Sequence, residues 1–315
     1  FYREIIEDYS AIPRYLQQQY GLKDGENHGR LWRLAHHKML MAPLPNLARL
    51  DAAPLAHEVS SPHYWRRQTA RRLFVERGRA DKSALTVLEK TAAEAKDAAG
   101  AINALYTLDG LKRLTAAVVE AALAHREPGV RRHALRLAER RFGENKTLLL
   151  TVIKMVEDKS AIVRLQLALT LGESTDPRAT AALAQLATRH GGDEWLNDAV
   201  LSSLGGRAGG MLAALLEEPK AAARVRGLVG RLCTTVASRQ NAKEFSDALV
   251  RVAGLKDHDL QRLCLAGFRA PFKSTTTVAL SKPASGALKR LTMADDAGLR
   301  TTALDLMRVL KLESA

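Results

Sequence analysis

The sequence predicts an all-α chain: an α-solenoid of about eight stacked helix pairs, preceded by a short extended N-terminal segment. Three observations carry this expectation. The 315 residues are 46% apolar but only 5% aromatic, and the dominant Ala, Leu and Arg are good helix formers rather than strand formers. An apolar frame with helical spacing returns eight times between residues 61 and 312. An acidic residue stands three positions before the frame in four copies, at Asp97, Glu127, Asp257 and Asp296, where it can accept the free N–H groups of a helix start.

The first 45 residues do not follow the frame. The chain opens on Phe1 within FYREIIEDYS, without the basic start and short apolar stretch of a signal peptide. We therefore expect a piece of a longer protein, whose missing targeting signals carry no information. Tyr20 to Asn27 is rich in turn formers, and His28 to Leu34 alternates as a strand does. One strand cannot stand alone, so its sheet partners are expected in sequence outside this chain. Pro43 and Pro45 break the chain before a helix that Asn46 can cap. The expected division is 1–45, the end of an upstream domain plus linker, and 46–315, the solenoid.

The frame reads V-R-x-x-small/apolar-A/L-x-x-apolar, most clearly from Val130 to Ala138 and again from Val163 to Leu171. Apolar positions at i, i+4, i+5 and i+8 make one stripe of an amphipathic helix. Its fifth position falls at Thr69, Ala104, Ala134, Leu167, Ala199, Val229, Cys264 and Ala303, and these are expected to point inward. The intervals are 35, 30, 33, 32, 30, 35 and 39 residues. Arg occupies the second position at Arg66, Arg131, Arg164, Arg226 and Arg300, and is replaced at Ala101, Leu196 and Gln261. Between frames lie further helical stretches, Ser83–Ala95, Leu111–Ala124, Lys146–Val156 and Arg178–Ala187. Two helices in each interval is an α-solenoid pattern, and the frame resembles the second helix of HEAT repeats.

A net charge of +14 means long-range attraction to acidic groups: nucleic acid, an anionic membrane face or an acidic protein surface. No apolar run is long enough for a membrane span, the richest stretch, Leu114 to Leu123, being interrupted by Glu120. Two clusters concentrate the arginines, Arg66 to Arg79 and Arg126 to Arg141. Arg67 with Arg71, and Arg132 with Arg136 and Arg140, share helix faces and form the candidate basic binding surface. By pattern alone these residues either align into a stripe that tracks phosphates, or form a solvated basic face or pair with acids of the next repeat, and the pattern favours the second account. Tyr64, Trp65 and Tyr106 are the aromatic residues near these clusters, and Trp65 and Tyr106 are expected in the core.

Other residue types point away from chemistry. The histidines have no spacing that gathers three or four metal ligands, and His125 and His133 are expected on the surface beside a turn. Leu204 to Gly210 is glycine-rich but lacks the order of a phosphate-binding loop, so an inter-helix turn is expected. Ser281 to Gly286 reads as a loop. Cys233 and Cys264 lie on apolar stripes of consecutive copies, which predicts buried free thiols. No nucleophile–base or paired-carboxylate spacing is present, so no catalytic, cofactor or metal residue is assigned.

Four segments together, Glu26–Leu34, Ser61–Gly78, Ala104–Leu111 and Val130–Glu139, resemble a large bacterial family of the planctomycete group and its relatives. These are membrane-bound dehydrogenases and heme-binding CxxCH proteins, in which a sugar-dehydrogenase-like β-propeller is followed by HEAT repeats and a c-type cytochrome domain. Gly29-Arg30-Leu31-Trp32-Arg33 matches the family's closing propeller strand. The resemblance implies a spacer between propeller and cytochrome domains in an electron-transfer protein, with an extracytoplasmic, periplasmic location and heme c in a flanking domain. No CxxCH occurs in this chain, so no heme residue is carried over. Two other readings stand beside it: a basic HEAT-like nucleic-acid-binding protein similar to DNA glycosylases, and a protein–protein scaffold unrelated to redox chemistry.

Overall fold

A computed structural model describes residues 11–21, 34, 36–38, 45–143, 145–273 and 278–311. The chain divides into two compact units, Phe1–Asn46 and Leu47–Ala315. In the first unit a short helix, α1 (Arg14–Gln19), is described. The expected strand over 28–34 lies outside the described residues except for Leu34, which is exposed.

The second unit is built of helix pairs. In chain order they are α2 (Ala52–Glu58) with α3 (Tyr64–Arg77), α4 (Lys82–Glu94) with α5 (Ala98–Gly110), α6 (Ala116–Leu123) with α7 (Pro128–Ala138), and α8 (Lys146–Lys154) with α9 (Ala161–Gly172). There follow α10 (Pro177–His190) with α11 (Glu194–Ser202), and α12 (Ala208–Leu216) and α13 (Pro219–Arg224) with α14 (Arg226–Ser238). The last pairs are α15 (Ala242–Ala253) with α16 (His258–Arg269), and α17 (Lys282–Leu291) with α18 (Ala297–Val309). The first helix of each pair packs on the first helices of its neighbours, and the second on the second. This gives two layers with the core between them, an all-α solenoid of eight pairs, and no strand occurs among the described residues.

Sequence dictates the boundaries of these helices. Asp81, Asp97, Asp193, Asp257 and Asp296 each accept a hydrogen bond from the backbone N–H three residues on, tying down a donor that the helix start leaves free. Glu127, expected to do the same, occupies the N-cap position of α7 without a side-chain bond there, and Pro128 begins that helix instead. Gly78, at φ +62°, ends α3 in the left-handed conformation that glycine adopts without strain. Asn46 precedes a 3-10 turn, Leu47–Arg49, rather than an α-helix. Ser281 to Gly286 is a helix start and not a loop: Ser281 caps α17, and Pro283 sits in the first turn, where its missing N–H is no loss.

The register of the frame is largely as expected. Ala104, Ala134, Leu167, Ala199, Val229, Cys264 and Ala303 are buried, whereas Thr69 is only half-buried. In the first pair the frame runs one residue later, with Arg67 in the arginine position and Ala70 inward. Trp65 is thereby turned outward, 53% exposed, rather than into the core.

Function of the arginine position explains the shift. Arg131 Nη1 donates to the carbonyls of His125 and Arg126, six and five residues earlier. Arg164 does the same to Asp158 and Lys159, Arg300 to Ala294 and Asp295, and Arg67 to Ser61 and Pro62. Each clamp closes the turn before a second-layer helix by satisfying carbonyls that end the preceding segment. Two amides replace the guanidinium. Asn197 Nδ2 donates to the Gly191 carbonyl, six residues earlier, and Gln261 Nε2 to that of Leu255. Asn197, not Leu196, therefore holds this position in the fifth pair. Where Ala101 stands, the next pair supplies the donors: His125 Nε2 meets the Ala95 carbonyl and Arg126 that of Lys96. His125 is consequently buried, contrary to its expected surface placement. Arg226 is exposed and makes no such clamp.

Candidate functional site

With the clamps assigned, the arginines of the candidate surface separate. Arg67 is committed to its turn and stands 5.9 Å over the Tyr64 ring. Arg66 pairs with Glu58, and Arg141 with Asp109 at 2.8 Å. Arg132, Arg136 and Arg140 are exposed, and none forms an ion pair or hydrogen bond with any described residue. They follow one another at i, i+4 and i+8 along α7 and its 3-10 extension, Glu139–Arg141. Three like charges in such a row repel each other, and Arg136 is also drawn electrostatically to the Glu139 carboxyl three residues on.

The adjacent second-layer helices complete the surface. Arg71 of α3 lies 5.2 Å over the ring of Tyr106 of α5. The Tyr106 hydroxyl is 3.0 Å from His133 Nδ1 on α7. Burial pushes the Tyr106 phenol up, against the pull of Arg136, Arg71 and Arg132. Burial first, then Arg132 and Arg136, hold the His133 imidazole below its usual range. At neutral pH both groups are thus uncharged, and the positive charge of the surface comes from arginine. Arg71, Tyr106, Asp109, Arg136 and Arg140 line a cleft of about 420 Å3.

Next to α7 the character changes. Glu139 Oε1 accepts from Thr170 Oγ1 at 2.8 Å and Gln166 Nε2 at 3.3 Å, both on α9. Burial raises its carboxyl above the usual range, and Glu173 adds to this against the Thr170 hydrogen bond. On the outer side of α9 and α11, Ile162, Leu169 and Trp195 are exposed, Trp195 at 77%.

Residues 115–205 match the HEAT-repeat family. The matched span covers three pairs, α6 to α11, including the Arg131, Arg164 and Asn197 clamps. No curated protein matches the chain. Among solved structures, an engineered protein from the Northeast Structural Genomics Consortium is 18% identical, with a TM-score of 0.26, covering 83% of this chain and 99% of its own. A designed armadillo repeat protein in complex with the peptide (KR)4 is 14% identical, with a TM-score of 0.27, covering 83% of this chain and 100% of its own.

Leu204 to Arg207 form the expected turn while Ala208 to Gly210 already begin α12, and Arg207 is a residue the spacing did not single out. Arg207 donates to the carbonyls of Leu171, Gly172, Ser174, Ser203 and Leu204, joining the ends of α9 and α11. Burial lowers its guanidinium from the ordinary value, and its donors are committed to these carbonyls. Nothing in Gly206-Arg207-Ala208 signals that role, because the acceptors Leu171, Gly172 and Ser174 come from a turn more than thirty residues earlier. Cys233 and Cys264 are buried free thiols. Among the described residues no cluster of three or more metal-ligating side chains exists, and no helix is long and apolar enough to cross a membrane.

Proposed function

We propose that this chain is a non-catalytic interaction module whose second-layer face, centred on α7, holds an acidic partner. The observation that carries the reading is the row Arg132, Arg136, Arg140, which has no hydrogen-bond or ion-pair partner among the described residues while Arg66, Arg67, Arg131 and Arg141 are all engaged. Arginines presented as a row with their hydrogen-bond donors unused attract carboxylates or phosphates. A solenoid suits the role because each repeat contacts its neighbours and together they present an extended surface.

The sequence resemblance supports a setting for the module: a spacer between a sugar-dehydrogenase-like propeller and a c-type cytochrome domain, in an extracytoplasmic redox protein. In that setting the acidic partner is one of the flanking domains or another protein. The reading frame around the chain tests this part. A CxxCH motif beyond residue 315 bears it out, and a frame without a heme motif on either side overturns it.

The binding reading is tested with fluorescent poly-L-glutamate and a DNA duplex of equal charge, titrated at several salt concentrations. Poly-L-glutamate is expected to bind, and the variant Arg132→Glu/Arg136→Glu/Arg140→Glu to lose at least about tenfold in affinity, roughly 1.4 kcal/mol. Equal affinity of the variant overturns the reading. Tighter binding of DNA, with a salt slope of several units, assigns the face to nucleic acid instead.

A further inference from the structure

We propose that the exposed face of α5, α7, α9 and α11 docks an acidic protein segment bearing an aliphatic or aromatic anchor, with its carboxylates on the α7 arginines and its anchor at Leu169. This inference rests on the acidic-partner reading and narrows it to one kind of ligand. Two clefts lie side by side on this face. The first is the basic one, of about 420 Å3, walled by Arg71, Tyr106, Arg136 and Arg140. The second, of about 470 Å3, is walled by Gln166, Leu169, Ser202 and Ser203. Arg136 and Glu139 belong to both, so a ligand can run from one into the other without leaving the surface.

The clefts differ in chemistry, and the difference selects the ligand. The basic cleft carries two carboxyl groups, Asp109, already held by Arg141, and Glu139, which accepts from Thr170 and Gln166, and this leaves Arg71, Arg136 and Arg140 for an incoming anion. Apart from Arg136 the second cleft has no basic side chain, and it carries the carboxyl groups of Glu139 and Glu173. A nucleic-acid backbone needs a continuous positive track, and crossing this cleft sets its phosphates against carboxylates. A protein segment has no such constraint, since acidic and apolar side chains can alternate along it.

Apolar contact is provided where the charge stops. Ile162 and Leu169 are seven residues apart on α9, and Trp195 and Ser202 are seven apart on α11, so each pair shares one helix face. Leu169 is 41% exposed inside the second cleft, and Ile162 is 48% exposed on the same helix face. Trp and Arg are the residue types most enriched where protein partners bind, and here they stand on nearby helices of one layer.

Two dodecapeptide probes separate this inference from the reading it builds on: dodecaglutamate, and a peptide of alternating glutamate and leucine, which has half the charge. Fluorescence anisotropy with the whole chain is expected to show the glutamate–leucine peptide binding at least about tenfold tighter. Leu169→Ser combined with Trp195→Ser is expected to remove about tenfold from that affinity, and a thermal melt of this surface variant controls for folding. Arg136→Glu is expected to weaken both peptides. Equal binding of the two peptides, with dodecaglutamate still sensitive to Arg136→Glu, overturns the anchor and leaves the basic-face reading standing. Failure of both peptides to bind overturns both, and a twelve-base-pair duplex that outcompetes the glutamate–leucine peptide overturns the choice of protein as ligand.

Discussion

Arg131 shows why the arginine position matters more to this fold than the net charge suggests. Its Nη1 closes the turn at His125 and Arg126, while Nε and Nη2 meet the two carboxylate oxygens of Asp158 at 2.7 and 2.9 Å. Burial alone would raise the Asp158 carboxyl, but the hydrogen bonds from Arg131 and the Ser160 N–H outweigh it and hold the group below its usual range. A carboxyl whose folded value lies below its unfolded one stabilises the fold above the ordinary carboxylate range, and that contribution fades as the pH falls through the folded value. Arg131→Ala is therefore expected to cost about 2 kcal/mol at pH 7, below the 3–5 typical of a fully buried pair because Arg131 retains some exposure. The loss should shrink as the pH is lowered toward 3, read as urea midpoints of variant and parent. A gap independent of pH would mean that Asp158 is not the source. The arginine frame was legible in the sequence at Arg131, Arg164 and Arg300. In the first pair the spacing placed it at Arg66, one residue early, since the Ser61 and Pro62 carbonyls are bound by Arg67. Asn197 and Gln261 were invisible as members because an amide does the same work through a shorter reach.

At the scale of a helix, the repeat fixes which residues face the core, and the first pair gives the sharpest test. Ala70 is fully buried and Thr69 is half-buried, one residue apart on α3. Ala70→Asp places an unpaired charge in the core and is expected to cost upward of about 4 kcal/mol, whereas Thr69→Asp should stay within about 1 kcal/mol. Helix content by circular dichroism through a thermal melt distinguishes them. The reverse ranking would restore the register with Thr69 inward. Period, cap and burial agreed over most of the array because an aspartate three residues before a buried position is a local signal, read without tertiary knowledge. The signal failed where tertiary contacts decide. Trp65 looks like a core residue by type, but the clamp at Arg67 turns it out. The basic surface was half legible for the same reason: Arg132, Arg136 and Arg140 share a face by spacing alone, but which arginines lack partners depends on acids from other pairs, such as Asp109 for Arg141 and Glu58 for Arg66.

Across the whole array, each pair rests on the pairs beside it, so a disturbance should spread to neighbours and decay with distance. Gly267 offers a place to introduce one. A Cβ there would lie 2.7 Å from Cys233 Cβ and 2.7 Å from the Gly230 carbonyl oxygen, both on α14. Thr234 Oγ1 bonds the Gly267 carbonyl at 3.1 Å across the same contact. Backbone cannot yield as a flexible side chain can, so even Gly267→Ala must push α14 and α16 apart. Close packing turns that displacement into lost contacts around Cys233, Cys264 and Phe268, all fully buried. The expected cost is about 1–3 kcal/mol, the usual range for overpacking. Its distribution is the more telling observable. Hydrogen exchange should accelerate in α14, α16 and the α18 helix packed on α16, while amides of α3, α5 and α7 keep their protection. Uniform acceleration from α3 to α18 would mean that the eight pairs unfold as one cooperative unit, and the proposed binding face on α7 would then be sensitive to packing changes far along the chain.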